Sequence, residues 1–198
     1  MFFNKSEKII NERACKLIFV GDIGCGRTAL LKTLVSGQYP HSTVATIGVE
    51  FYQKCVSLDN IQTRLDIWDI SGQERFAGNI MRHCEDSDIA IIAFDLTRKQ
   101  TFDGAKMWLS EINRVIDIED LGQIILVGLK CDATPDPRLD IAQVEEFVSE
   151  NNLIYMQASA KTGFNVDNLF TKALEVVSLY HPGKMQVLEE GQDQSISP

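Results

Sequence analysis

The sequence predicts an α/β fold in which helices cover both faces of a six-stranded, mostly parallel sheet with one antiparallel strand. Apolar, β-branched runs alternate along the chain with segments whose apolar residues have helical spacing. Two strand-like runs, residues 49–58 and 61–69, are separated only by Asp59 and Asn60, a pair suited to a tight antiparallel hairpin. The other strands are joined by helical crossovers, which connect parallel strands.

The first half of the chain predicts three strands and a helix. Residues 14–20 end in the apolar run LIFV and predict a buried strand, whereas residues 27–35 have leucines at helical spacing. Gly37 and Pro40 break that spacing, so residues 36–47 read as a long loop before the hairpin. We expect residues 1–13, which are mixed and polar, to form a short arm.

The second half alternates strand and helix. Residues 89–95, 124–129 and 153–158 are short apolar runs typical of buried strands. Residues 101–117, 141–151 and 165–179 have the spacing of amphipathic helices. One domain over residues 14–180 accounts for all of these elements, and residues 181–198 read as a flexible acidic tail.

The composition argues against several classes of function. A net charge of −9 at pH 7 argues against a nucleic-acid-binding surface and against a polybasic membrane contact. The five cysteines are scattered, so we expect a reducing compartment and neither a disulfide nor a zinc site. No apolar run reaches the ~18 residues of a membrane span, and the start lacks the apolar core of a signal peptide. These features predict a soluble, cytoplasmic protein, and we expect a monomer.

Residues 21–28, GDIGCGRT, connect the first strand to the first helix. Glycines there allow a sharp turn that points backbone N–H groups inward, and the helix N-terminus adds partial positive charge. The spacing matches the phosphate-loop pattern G-x-x-x-x-G-K-[ST], except that Arg27 stands in place of the lysine. By itself this stretch is also consistent with a glycine-rich turn that binds no ligand.

Three further polar clusters follow predicted strands. Residues 69–73 come after the third strand, residues 130–132 after the fifth and residues 159–161 after the sixth. Ligands of open α/β sheets bind beyond the carboxyl ends of the strands. The four clusters in this order are therefore far more specific than the phosphate loop alone.

Five segments carry a resemblance: residues 21–28, TIGVEF at 46–51, WDISGQERF at 68–76, LKCD at 129–132 and SAK at 159–161. Over about residues 14–180 they are similar to the Rab branch of the Ras superfamily of small GTPases. The resemblance implies a single P-loop G domain that binds GTP and GDP with Mg²⁺ and hydrolyses GTP. It also implies a molecular switch of the kind that acts in vesicle traffic.

The resemblance implies a role for individual residues. Thr28 and Thr46 would ligate Mg²⁺ and Asp69 would hold a metal-bound water, while Gln73 would orient the attacking water. Asp132 would accept two hydrogen bonds from the guanine edge. Ile23 joins Gln73 at the catalytic position. The implied nucleotide-binding residues are Asp22, Ile23, Gly24, Cys25, Gly26, Arg27, Thr28, Ala29, Tyr39, Thr46, Gly72, Lys130, Asp132, Ser159, Ala160 and Lys161.

The resemblance also implies protein partners. Residues 37–51 and 68–84 would contact effectors, exchange factors or GTPase activators, and the loops within them would become ordered with GTP. Rab proteins present three apolar or aromatic residues to effectors. Here these are Phe51, Trp68 and His83, which stands in place of a tyrosine. Simple packing within the hairpin is an equally good explanation for part of the surface of Phe51 and Trp68.

Three residues depart from the family pattern. Arg27 keeps the charge of the lysine on a bulkier group, so we expect a misplaced charge and tighter nucleotide binding in Arg27→Lys. If the loop is instead built around the guanidinium, lysine would leave a void and gain no affinity. Ile23 stands where a small residue is usual, next to the γ-phosphate and Gln73, which predicts slow hydrolysis. Leu129 replaces an asparagine that in the family links the base loop, residues 129–132 here, to the phosphate loop. Loss of that neutral hydrogen bond costs about 1 kcal/mol and weakens nucleotide binding.

These departures leave an alternative function open. The chain would then be a pseudo-GTPase, a binding module that keeps the fold but not the switch, and a bacterial effector that mimics host Rabs in the host cytosol is one variant. The sequence has no cysteine after Cys131 to accept a prenyl group, so we expect no direct lipid anchor. Membrane recruitment would then depend on a partner.

Overall fold

A computed structural model describes residues 9–59, 61–73, 83–84, 86–115 and 123–182. The strands are β1 (Ile9–Gly21), β2 (Val49–Leu58), β3 (Ile61–Ile70), β4 (Ile89–Asp95), β5 (Ile125–Leu129) and β6 (Ile154–Ala158). The helices within this part of the chain are α1 (Arg27–Ser36), α2 (Lys99–Val115), α3 (Ile141–Glu150) and α4 (Val166–Tyr180). Most of the expected arm and tail, and residues 74–82 of the expected second switch, lie outside the described residues.

The six strands form one sheet in the order β2-β3-β1-β4-β5-β6. Strand β1 is parallel to both of its neighbours, with Leu17 opposite Ile67 of β3 and Ile89 of β4. Edge strand β2 is antiparallel to β3, and Val49 pairs with Ile70. The predicted α/β fold, with a mostly parallel sheet and one antiparallel strand, is confirmed.

Strand β1 is longer than the sequence predicts. It begins at Ile9, not near Ala14, and Ile9 pairs with Ile61 at the start of β3. The register shifts between Asn11 and Cys15. The polar residues 11–13 interrupt the apolar pattern, so hydropathy does not reveal that residues 9–11 pair with residues 61–63 of β3.

The core has two layers, one on each face of the sheet. Alternate residues of β1 face opposite layers: Leu17 and Phe19 lie in one cluster and Ile18 and Val20 in the other. The first cluster includes residues of α1 and α4, and the second includes residues of α2 and α3. Helices therefore cover both faces, as predicted.

This topology brings the carboxyl ends of β1, β3, β4, β5 and β6 to one edge of the sheet. Each predicted polar cluster lies at or just after one of these ends, since the strands finish at Gly21, Ile70, Asp95, Leu129 and Ala158. The sheet thus places the clusters side by side. Within the described residues, no helix is long and apolar enough to cross a membrane.

Candidate functional site

The loop between β1 and α1 lines a cavity of about 230 Å³. Gly24 and Gly26 have φ angles of 69° and 114°, a region that favours glycine, so the backbone turns where the sequence predicts. Gly26 is the N-cap of α1 and offers no side chain to cap the first turn. Because Thr28 and Ala29 of that turn line the cavity, the helix N-terminus suits a bound anion.

Every residue of the segment 22–29 lines this cavity, together with Tyr39, Thr46, Gly72 and Lys130. These are predicted nucleotide-binding residues that the fold brings together. The side chain of Cys25 is an exception within the group, because it is fully buried in the core. Burial raises the pKa of the Cys25 thiol, although Arg27 opposes that effect.

A second cavity, of about 180 Å³, adjoins the first and shares Gly26, Ala29, Tyr39 and Lys130 with it. Asp132, Ala160 and Lys161 line this cavity, as the sequence predicts for a base pocket. Its remaining lining residues are Leu30, Leu129 and Ala133, which are apolar. A planar base fits such a wall, and the two cavities together form one cleft.

Ser159 is fully buried and does not line either cavity. Its hydroxyl donates a hydrogen bond to Oδ1 of Asp132 over 2.6 Å. The same hydroxyl oxygen accepts from the backbone N–H of Thr162. Ser159 therefore orients the carboxylate of Asp132 from behind, and Asp132 is the residue of this pair that lies at the cavity.

Three oxygen-bearing side chains meet at the other end of the cleft. Oγ1 of Thr28 lies 2.6 Å from Oδ2 of Asp69 and 2.8 Å from Oγ1 of Thr46. Oγ1 of Thr46 lies 3.4 Å from the same Oδ2 atom. Two hydroxyls and a carboxylate are hard oxygen donors of the kind that Mg²⁺ prefers, so the donor set fits the predicted ion.

Arg27 lines the phosphate cavity, but its guanidinium is buried and hydrogen-bonded within the protein, as in a loop built around this group. Its side chain is only 5% exposed, and Nε donates to Oδ1 of Asp69 over 2.8 Å. Nη1 donates to the carbonyl of Gly21 and Nη2 to that of Ile70. Burial alone would lower the pKa of Arg27, but Cys25 and Asp69 raise it overall, so the guanidinium stays charged.

Ile23 lies against Gly72 at the rim of the cavity. A Cβ atom built on Gly72 would come within 2.6 Å of the backbone N of Ile23 and 2.9 Å of its Cγ1. Gln73 is exposed, and its backbone N–H donates to Oγ of Ser71. The fold thus places the two predicted catalytic positions, Ile23 and Gln73, on adjoining segments.

Asp95 is a buried residue of the site that sequence reasoning missed. Oδ2 accepts from Nε of Arg98 over 3.0 Å and from Nζ of Lys130 over 2.6 Å. Both cations reach the phosphate loop, because Arg98 donates to the carbonyl of Ile23 and Lys130 to that of Gly24. Burial would raise the pKa of Asp95, but hydrogen bonds from Lys130 and Thr97 lower it below its ordinary value. The signal available in the sequence was the acidic residue Asp95 itself, which ends the predicted buried strand 89–95.

The predicted partner residues form an aromatic patch at the hairpin. The rings of Phe51 and Trp68 lie 5.3 Å apart, edge to face, and Trp68 lies 6.2 Å from the ring of His83. Phe51 is 48% exposed. In the neighbouring loop, Val44 and Ile47 are 82% and 87% exposed, which leaves apolar surface available to a partner.

Comparison with known proteins agrees with this geometry. Residues 16–179 match the Ras family. The chain is 30% identical over 175 residues to "Ras-related protein Rab-2B" of Dictyostelium discoideum, which covers 88% of this chain and 86% of that protein. It is 33% identical to "Ras-related protein Rab-26" of Bos taurus and 35% identical to that of Mus musculus, over 85% and 80% of this chain.

The chain spans 65% and 60% of the length of the bovine and mouse relatives, respectively. The match to the Dictyostelium relative extends over most of both chains, and the Ras family match over residues 16–179 includes the phosphate loop and the base pocket. The fold, the cleft at the carboxyl edge of the sheet and these comparisons agree. The chain belongs to the Ras family, as a Rab-like small GTPase that binds GTP.

Proposed function

We propose that this protein is a vesicle-traffic type of switch that hydrolyses GTP slowly and binds effectors in its GTP form. The observation that carries the proposal is the contact of Ile23 with Gly72 at the rim of the phosphate cavity. This contact lies where the terminal phosphate and the attacking water would meet. The guanine nucleotide would occupy the cleft that the two cavities form.

Different residues along the cleft would bind different parts of the nucleotide. The backbone of residues 24–28 would donate to the phosphates, and the N-terminus of α1 would add favourable charge. Asp132, oriented by Ser159, would accept from the guanine edge through a charge-assisted pair. Tyr39, which lines both cavities and is half exposed, would cover the base.

Magnesium, held by Thr28 and Thr46 with Asp69 behind them, would supply charge neutralisation at the phosphates. Gln73 would orient water, since it adjoins Gly72 and its side chain is exposed. Ile23 would occupy the space into which this side chain and an activating arginine must come. The water-positioning group is therefore present, and the rate would be limited by access.

Effector binding would use the patch of Phe51, Trp68 and His83 with the exposed apolar residues Val44 and Ile47. Thr46 supports this assignment, because its hydroxyl contacts Thr28 and links the loop before β2 to the phosphate site. The same loop would contact bound GTP and would lose that contact when the terminal phosphate leaves. The apolar surface of the loop would then change with the nucleotide.

A pseudo-GTPase is the second candidate, and the position of Arg27 favours it. The guanidinium donates to three backbone carbonyls and to Asp69, so the phosphates would lack the cation that the family places beside them. Such a protein would keep the aromatic patch and hold nucleotide weakly. The two candidates make different predictions for bound nucleotide and for hydrolysis.

Single-turnover hydrolysis of preloaded GTP by the parent, Ile23→Gly and Ile23→Val tests the proposal. We expect a rate in Ile23→Gly about tenfold or more above the parent, which corresponds to about 1.4 kcal/mol of barrier. Ile23→Val keeps the β-branched bulk and should stay near the parent rate. Equal rates in all three proteins, with bound nucleotide verified, would refute the role of Ile23, and failure of the parent to load would favour the pseudo-GTPase.

A further inference from the structure

We propose that Arg27 is a positioning residue that clamps Asp69 to the phosphate loop, and that nucleotide binding by this chain consequently depends little on Mg²⁺. The consequence for nucleotide binding rests on the proposed function, whereas the contacts of Arg27 with Asp69 and the phosphate loop do not.

The guanidinium of Arg27 joins two segments that are far apart in the sequence. On one side, Nη1 donates to the carbonyls of Gly21 and Asp22, the latter over 3.2 Å, and lies 3.4 Å from Sγ of Cys25. On the other side, Nη2 donates to the carbonyl of Ile70 over 3.0 Å and Nε to Asp69. The planar fork thus connects the phosphate loop to the end of β3.

Movement of this side chain toward a phosphate would be costly. Asp69 is fully buried, and Arg27 provides its cationic partner at 2.8 Å. Withdrawal of the guanidinium would leave a buried carboxylate without that partner and would remove donors from the carbonyls of Gly21 and Ile70. We therefore expect Arg27 to stay in place when nucleotide binds.

The clamp changes what Asp69 offers to a cation. One carboxylate oxygen, Oδ1, is paired with Arg27, and the other, Oδ2, accepts the hydroxyl of Thr28 over 2.6 Å. The charge of Asp69 is balanced by the guanidinium, so the field that attracts a divalent ion to Thr28 and Thr46 is reduced. A nucleotide would gain correspondingly less affinity from Mg²⁺.

Lysine at position 27 would release this arrangement. Its ammonium is a compact group on a flexible stem and cannot reach Asp69 and the carbonyls of Gly21 and Ile70 in one plane. In Arg27→Lys the charge of Asp69 would no longer be balanced by a guanidinium in contact with it, and the field at the metal position would be stronger. Magnesium dependence should therefore appear in this variant, and its affinity without Mg²⁺ should not exceed that of the parent.

The test compares dissociation constants of a fluorescent GDP analogue, measured with saturating Mg²⁺ and with excess EDTA. For the parent we expect the two constants to differ by less than about threefold, and for Arg27→Lys by more than about tenfold. Arg114→Lys, which replaces an exposed arginine of α2 paired with Glu111, is the matched control and should behave as the parent. The proposal would be wrong if the ratio of the dissociation constant in EDTA to that in Mg²⁺ were at least as large for the parent as for Arg27→Lys.

Thermal unfolding without nucleotide tests the clamp independently. Arg27→Lys and Asp69→Asn should each lower the Tm, and the double variant should lose less than the sum of the two losses, because both remove one contact. Mg²⁺ alone should raise the Tm of Arg27→Lys more than that of the parent. Additive losses would overturn the clamp, whereas coupled losses in a protein that binds no GDP would keep the clamp and refute the proposed function.

Discussion

The ammonium group of Lys130 lies 2.6 Å from Oδ2 of Asp95 and 3.3 Å from the carbonyl oxygen of Gly24. Lys130, paired with Asp95, thus links residues 129–132, the base loop, to residues 21–28, the phosphate loop. Leu129, the residue before Lys130, has no polar group for such a link and packs in the core. The buried carboxylate of Asp95 therefore holds Lys130 in a connection between the two loops that the apolar side chain of Leu129 cannot make.

Asp95→Asn should weaken this connection and accelerate GDP release. The amide keeps the shape of the side chain but loses charge-assisted hydrogen bonds of about 1.5–3 kcal/mol, so we expect the dissociation rate to rise about tenfold to hundredfold. Stopped-flow displacement of a fluorescent GDP analogue measures the rate. Asp103→Asn, at an exposed position of α2 that pairs with Lys99, is the matched control. A release rate equal to that control would exclude Asp95 from the connection.

The same carboxylate predicts a pH dependence of stability. The folded pKa of Asp95 lies below its ordinary value, because hydrogen bonds from Lys130 and Thr97 outweigh the effect of burial. Its contribution is thus fully present above the unfolded pKa of about 3.9 and is lost as the pH falls through the folded pKa. Acid titration of the unfolding free energy should be steeper below about pH 4 in the parent than in Asp95→Asn. Parallel curves would contradict this assignment.

The sequence predicts most of the fold because apolar periodicity and turn residues act locally. Helix α1, the β2-β3 hairpin and β4 lie within two residues of the predicted bounds, since each has its own apolar pattern. The start of β1 cannot be predicted in the same way, because residues 9–11 extend the strand through pairing with residues 61–63 of β3. Sequence patterns therefore predict the elements that have their own apolar spacing, but not a strand end that forms only by pairing with a distant segment.

The candidate site was predictable in its location but not in its contacts. Motif order places Thr28, Asp69 and Asp132 at one edge of the sheet, and the cleft is there. The direction of the Arg27 guanidinium could not be predicted, because its partner Asp69 is 42 residues away in the sequence. The spacing of the phosphate loop alone leaves open both a misplaced charge and a loop built around the guanidinium.

Asp132→Asn should change the preferred base. The carboxylate lines the base cavity and is oriented by Ser159, so it would accept both donors on the guanine edge. An amide offers one acceptor and one donor, which matches xanthine better. Competition binding of GDP against xanthosine diphosphate should show a preference reversed in favour of xanthine. An unchanged preference would remove Asp132 from base recognition.

Identification of the nucleotide carried by the purified protein shows whether the cleft binds a guanine nucleotide. The protein is purified without added nucleotide, denatured, and the released small molecules are separated and quantified against protein concentration. A guanine-nucleotide switch predicts GDP or GTP at about one molecule per chain, because the cleft would retain its ligand through purification. Release of adenine nucleotide would contradict the account, and so would the absence of any nucleotide in a folded protein that GDP does not stabilise.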